Sequence, residues 1–246
     1  MRSALLPLAL PAVAQAIDIA QNLATLNDNR AVELPGILKF PVEGIHSKGL
    51  SRRQDSTGIE SQQKGLFYLI ELTLGTPGDK VKVIFDTGSA ELWVNPDCSR
   101  STDPAQCSQY PRFEKSSTGQ NLDATANLTY GTGYAYVNYI NDYVSVGAAR
   151  IPQQIFGVAS ESEFLQTGIM GAGPALQGFE SPYEYVIDSL KKYEFIKSRA
   201  FGVDLQGIDS PRGSVVFGGV DTKKFKGVLE ARPIIPAASS PDGYSR

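Results

Sequence analysis

The sequence predicts a mostly β domain. Two observations carry that reading. Runs rich in apolar, aromatic and β-branched residues, such as Phe67-Tyr68-Leu69-Ile70-Glu71-Leu72-Thr73-Leu74 and Lys80 to Phe85, are separated by turn residues, here Gly75-Thr76-Pro77-Gly78. The chain also holds 24 Gly and 15 Pro, a count that suits many strand connections. Its 246 residues, 41% of them hydrophobic, are enough to bury a real core. A formal net charge of -3 with no long basic block argues against nucleic acid or an anionic membrane as the main partner. The single histidine, His46, has no cysteine near it, so neither a metal site nor a cofactor is expected.

Taken in order, the chain opens with Met1-Arg2, a minimal positive region, then an apolar stretch from Ser3 to Val13 and the small-x-small sequence Ala14-Gln15-Ala16. This is the pattern of a secretory signal over residues 1–16. The run is too short to span a bilayer, and Pro7 and Pro11 oppose a core helix. Ile17 to Leu50 is polar with little sustained periodicity, and Arg52-Arg53 follows in an exposed-looking linker. Residues 17–53 are expected to be a propeptide processed after Arg53, with residues 54–246 as the mature domain. Secretion in turn predicts a Cys98–Cys107 disulfide around a short polar loop. Asn127-Leu128-Thr129 is an acceptor sequon for N-glycosylation, which fits the same compartment. The expected location is extracellular or at the cell surface.

Further strands are expected in the two Tyr- and Val-rich runs between Thr129 and Val146, at Ile155 to Ala159 and at Ser214 to Phe217. One helix is predicted. Ser181 would cap it, Pro182 would take its first position and Glu184 would complete a capping box. Tyr183, Val186, Ile187 and Leu190 then recur at helical spacing.

Phe85-Asp86-Thr87-Gly88-Ser89 is the chemically informative stretch. It places a carboxylate at the end of an apolar strand, Val81-Lys82-Val83-Ile84, on a Thr-Gly turn. A carboxylate is costly to bury unless its oxygens accept hydrogen bonds, and the hydroxyls and turn N–H groups that follow can donate them. The alternative reading is a plain turn aspartate.

Together with its neighbours, this stretch resembles the first catalytic loop of the pepsin-like aspartic proteases. The landmarks come in the family's order. Asp86-Thr87-Gly88-Ser89 is followed by Leu92-Trp93-Val94. Tyr130-Gly131-Thr132-Gly133 is similar to the flap, Thr167-Gly168-Ile169-Met170-Gly171 to the strand that threads behind the loop, and Gly213 to Asp221 to the end of the N-terminal lobe. The resemblance covers about Phe67 to Pro236 and implies the N-terminal lobe: a six-stranded barrel or sandwich of short strands with a flap hairpin and one or two short helices. It implies that Asp86 is catalytic, that Thr87, Gly88 and Ser89 support its loop, that Tyr130 and its turn close over substrate, and that Trp93 supports the Tyr130 ring. Simple core packing is the other reading of Trp93. Cys98 and Cys107 fall where the family places a short-loop disulfide, and the dibasic site points to its fungal secreted or cell-surface branch. Thr167 stands where the family often has Asp, and Tyr134 where it often has a small residue.

Such enzymes need two aspartates, and the chain ends at Arg246 with only one in this context. The expectation is a secreted aspartic endopeptidase acting on peptide or protein substrates, with the C-terminal lobe and its second Asp missing. A homodimeric single-lobe protease and a non-catalytic binding or inhibitory module are the alternatives.

Overall fold

The computed structural model describes residues 38–46, 66–131, 133–174, 183–205 and 212–230. The expected signal peptide, the dibasic site with Arg53, Thr132, and the Ser181-Pro182 helix start lie outside the described residues. Residues 34–220 form one compact unit. Of the other unit, residues 221–230 are described; they hold a turn in which the Lys224 N–H donates to the Asp221 carbonyl at 2.9 Å.

Among the described residues, ten strands make one sheet. They are β1 (Leu38–His46), β2 (Leu66–Leu74), β3 (Asp79–Asp86), β4 (Leu92–Val94), β5 (Gln120–Thr129), β6 (Tyr134–Val146), β7 (Ala149–Glu163), β8 (Gly168–Gly171), β9 (Phe201–Asp204) and β10 (Arg212–Phe217). The strand order is β5-β6-β7-β4-β8-β3-β2-β1-β10-β9. A further pairing of Thr73 with Ser145 and Leu74 with Val144 joins β2 to β6. It closes β2, β3, β8, β4, β7 and β6 into a six-stranded barrel, as expected of this lobe. The strands are not uniformly short: β6 has 13 residues and β7 has 15.

Alternation explains which side chains fill the barrel. On β3, Val81 and Val83 are buried while Lys80 is exposed. Ile70 and Leu72 of β2, Val144 and Val146 of β6, Ile151 and Phe156 of β7, and Met170 of β8 meet them. Each such burial contributes about 1.5–3 kcal/mol. Along β6 the buried parity changes, from Ala135, Val137 and Tyr139 to Val144 and Val146. The change falls at Ile140 and Asn141, where the ladder with β7 runs without a shift, so the two faces of β6 meet different cores. The first set therefore joins a second core around Trp93, under the β5–β6 hairpin.

Two readings of local structure are corrected. The segment expected to be irregular contains β1, whose Phe40 and Val42 are buried against Phe217 and its neighbours. Pro41 is tolerated because β1 pairs β10 over residues 38–43 and β2 only over 43–46, so Pro41 faces a partner on one side. The main helix, α2 (Val186–Lys192), begins later than predicted, with Tyr185 as its N-cap and no side-chain cap. The Glu184 carbonyl instead accepts from Nε2 of the buried Gln154 of β7 at 2.9 Å, and its carboxylate pairs with Lys192 at 2.6 Å. Its apolar face buries Val186, Ile187 and Leu190 as the spacing required. The short helix α1 (Pro104–Cys107) is capped by Asp103, whose Oδ1 accepts the Gln106 N–H at 2.9 Å. Cys107 is bonded to Cys98, with Cα atoms 5.4 Å apart, closing the loop expected from the sequence.

Candidate active site

Asp86 is the last residue of β3. Strand β8 runs parallel to β3, with Asp86 opposite Gly171, and antiparallel to β4, with Trp93 opposite Ile169. It thus lies between two strands that are close in sequence and backs the loop joining them. Three N–H groups hold that loop: Ala172 donates to the Asp86 carbonyl at 2.7 Å, Gly173 to Ser89 at 2.8 Å and Gly171 to Glu91 at 2.8 Å. A Cβ on Gly171 would run into the Ala90 backbone, so only glycine allows this approach. Thr167, fully buried behind the loop, donates its hydroxyl to the Lys82 carbonyl at 2.6 Å.

The Asp86 carboxylate is half-buried and held on both oxygens. The Gly88 N–H donates to Oδ1 at 2.8 Å and the Ser89 hydroxyl to Oδ2 at 2.6 Å. Thr87 and Gly88 are exposed at the tip, and the Thr87 carbonyl faces Gly173. A carboxylate fixed in this way keeps one orientation while part of it stays open to a reactant.

Strands β5 and β6 pair as far as Thr129 with Tyr134, and the Tyr130 N–H donates to the Gly133 carbonyl at 2.7 Å across the turn. Gly131 has open space around it; a Cβ on Gly133 would meet the Glu163 carbonyl of β7. Trp93 is fully buried and donates its indole N–H to the Tyr130 hydroxyl at 2.7 Å, with ring centroids 6.2 Å apart. It is both part of the second core and a prop for the turn. Burial holds the Tyr130 phenol well above its ordinary value, and the Asp86 charge acts on it in the same direction.

The sequence model of the family described as eukaryotic aspartyl protease matches residues 67–240. The chain belongs to the eukaryotic aspartyl protease family. It is 31% identical over 248 residues to the protein named "Probable aspartic-type endopeptidase OPSB" of Arthroderma benhamiae, covering 92% of this chain and 48% of that one. It is also 31% identical over 208 residues to Candidapepsin-1 of Candida albicans, covering 80% and 52%. The aspartic proteinase from Irpex lacteus superposes with a TM-score of 0.58 at 26% identity, over 73% of this chain and 52% of that one. The chain spans about half the length of the curated relatives it matches.

The fold of this aspartyl protease family member also assembles a group that sequence reasoning missed. Glu91 follows the Asp86 loop and accepts a hydrogen bond from the Tyr183 hydroxyl, from the segment before α2, and another from Tyr139 of β6. The Tyr139 and Tyr183 rings lie 5.7 Å apart, edge to face. Burial raises the Glu91 carboxyl above its ordinary value of 4.5, against the opposing pull of the two phenols. Tyr139 is pushed up to about 12, first by burial and then by Glu91. Tyr183 is raised further, by burial and by its bond to Glu91. A raised carboxyl means that the folded state holds its proton after the unfolded chain has lost it. Its contribution to stability is therefore present at low pH and lost as pH rises from 4.5 through the folded value. Glu91→Gln keeps an acceptor for Tyr183 and removes the ionisation. Its melting temperature should match wild type at about pH 4 and exceed it at about pH 7. Parallel melting curves across that range would exclude ionisation of Glu91 as a stability term.

Proposed function

We propose that Asp86 is one of two carboxylates of a secreted aspartic endopeptidase that hydrolyses peptide bonds at acid pH. The observation supporting this is the Asp86 carboxylate itself, fixed by Gly88 and Ser89 at the mouth of the loop, with the Trp93-supported Tyr130 of the flap within its electrostatic reach. The second carboxylate is proposed to come from a second lobe, corresponding to the half of the relatives' length that this chain does not cover. Two carboxylates facing each other cannot both ionise easily, so they share a proton, the behaviour for which aspartic proteases are the standing example. The ionised member accepts a proton from water as that water attacks the peptide carbonyl. The protonated member donates to the carbonyl oxygen and later returns protons to the leaving amine. Gly88 and Ser89 keep Asp86 oriented, and the flap residues Tyr130, Gly131, Thr132 and Gly133 cover the substrate and exclude water.

The test is to assay the two-lobed gene product and the 246-residue chain side by side on a peptide substrate at about pH 4. Pepstatin-sensitive cleavage by the first and none by the second is the expected result. Cleavage by the 246-residue chain that grows with the square of its concentration would favour a homodimeric site instead.

Entry to the secretory pathway over residues 1–16 and processing after Arg53 belong to the same reading. The relative named "Secreted aspartic protease 1" supports it, and no helix among the described residues is long and apolar enough to cross a membrane. Cleavage after Arg53 would leave β1 held by its pairings with β2 and β10 and by the buried Phe40 and Val42. Replacing Arg52 and Arg53 by alanine should leave secreted protein with its N-terminus upstream of Gln54. An unchanged mature N-terminus would place the processing site elsewhere.

A further inference from the structure

The outer face of the flap hairpin carries exposed side chains, Asn127, Thr129 and Tyr136 among them, to which the proposed hydrolysis assigns no part. Among the described residues, strand β5 is the last strand of the sheet, with one edge unpaired there, and most of its residues are exposed. A ten-residue exposed edge strand invites pairing with other chains unless something covers it. The acceptor sequon Asn127-Leu128-Thr129 lies on this strand, with Asn127 and Thr129 exposed and Leu128 turned toward the Trp93 core. Directly across the ladder, Asn127 faces Tyr136 and Thr129 faces Tyr134. Cross-strand neighbours of this kind have Cβ atoms about 5 Å apart.

The two tyrosines form a fixed platform. Their rings meet edge to face with centroids 5.5 Å apart. The Tyr134 hydroxyl donates to Glu161 at 2.8 Å, and Arg100 pairs with Glu161 and, at 3.3 Å, with Glu163. Phe164 stands beside them at a positive φ of 61°, half exposed at 51%, and Tyr136 is 45% exposed. Together with Asn127, Thr129 and the turn residues Tyr130 and Gly133, these rings line an open groove of about 570 Å³. Clustered exposed aromatic surface of this kind marks a binding face.

We propose that Asn127 is N-glycosylated and that the first sugars of its glycan lie in this groove, stacked on Tyr136 and flanked by Phe164. The proposal rests on the secretory reading above. The co-reactant is an oligosaccharide linked to a lipid pyrophosphate, supplied in the secretory pathway. A bond forms between Asn127 Nδ2 and sugar C1, the C1–O bond to the lipid pyrophosphate breaks, the pyrophosphate leaves with the bonding pair, and one Nδ2 proton passes to base. The apolar faces of a sugar ring match an aromatic platform, and the groove begins at the side chain to which the glycan is attached. The sugar would also cover the β5 edge.

The test uses the full chain secreted from a eukaryotic host, in two versions: one with its own N-terminus and one behind a heterologous leader. Glycopeptide mass spectrometry should find Asn127 modified, and Thr129→Ala should abolish the modification. Peptide N-glycosidase should release the glycan from the native protein about fivefold more slowly than from Tyr136→Ala, with Tyr136→Phe behaving as wild type. Phe164→Ser, at an exposed position that does not threaten folding, should also speed release. An unmodified Asn127 in protein secreted behind the heterologous leader overturns the proposal. So does equal release from wild type, Tyr136→Ala and Phe164→Ser, which would leave the groove for another occupant. Retention of only the version with its own N-terminus would count against the secretory signal and not against the site at Asn127.

Discussion

Asp86→Asn in the two-lobed enzyme should lower kcat by about 10⁴-fold or more while leaving the fold in place. The amide keeps the carbonyl oxygen that accepts the Gly88 N–H, and its Nδ2 can donate to the Ser89 hydroxyl, so both contacts of the loop survive with one reversed. What is lost is the ability to take a proton from water or to share one with a second carboxylate. The melting temperature should therefore stay near that of wild type, and the loss should appear in kcat with KM little changed. Asp86→Ala makes a useful contrast. It strips the acceptor from the exposed Gly88 N–H and the half-buried Ser89 hydroxyl and should cost about 0.5–1.5 kcal/mol of stability in addition. An Asp86→Asn enzyme with near-normal turnover would remove Asp86 from the mechanism.

The second large effect is expected at Trp93. Truncation to alanine empties a site that is 0% exposed and should cost about 3–5 kcal/mol, read from denaturant or thermal unfolding. Trp93→Phe keeps most of the apolar volume but deletes the indole N–H that meets the Tyr130 hydroxyl. A phenol buried there loses its donor, so this milder change should cost about 1–3 kcal/mol and loosen the turn between β5 and β6. In the two-lobed enzyme its signature is a fall in kcat/KM with the pH profile unmoved, because no titrating group has been removed. A Trp93→Ala protein as stable as wild type would show that the second core does not depend on the indole.

What the sequence made legible were the contacts between near neighbours. Asp86, Gly88 and Ser89 sit within one turn, and Tyr130 and Gly133 within another, so residue type and spacing imply their hydrogen bonds. Glu91 and Tyr183 are separated by 92 residues, and nothing in either neighbourhood announces the other. Only the folding of β6 and of the segment before α2 against the Asp86 loop brings them together. Strand β7 is expected from the sequence over Ile155 to Ala159 and runs from Ala149 to Glu163. In the fold, Pro152 falls where the ladder with β6 slips between Asp142 and Val144, at a position that needs no N–H. The start of α2 was misread because the capping pattern was local, whereas the Glu184 carbonyl is claimed by Gln154, 30 residues earlier.

The position of β8 also sets a schedule for synthesis. The Thr167 hydroxyl reaches the Lys82 carbonyl across 85 residues of chain, and β8 must enter between β3 and β4 before the Asp86 loop acquires its backing. At about 5–20 residues per second, the ribosome extends the chain from Asp86 to Gly171 in roughly 4–17 s. During that time β3 and β4 are both available, yet they cannot zip together without closing the slot that β8 needs. The barrel therefore waits for a distant segment, the kind of non-local closure that slows folding. Asp86 leaves the ribosome early and is assembled late, so a nascent chain carries it through synthesis with the surrounding loop still unbacked.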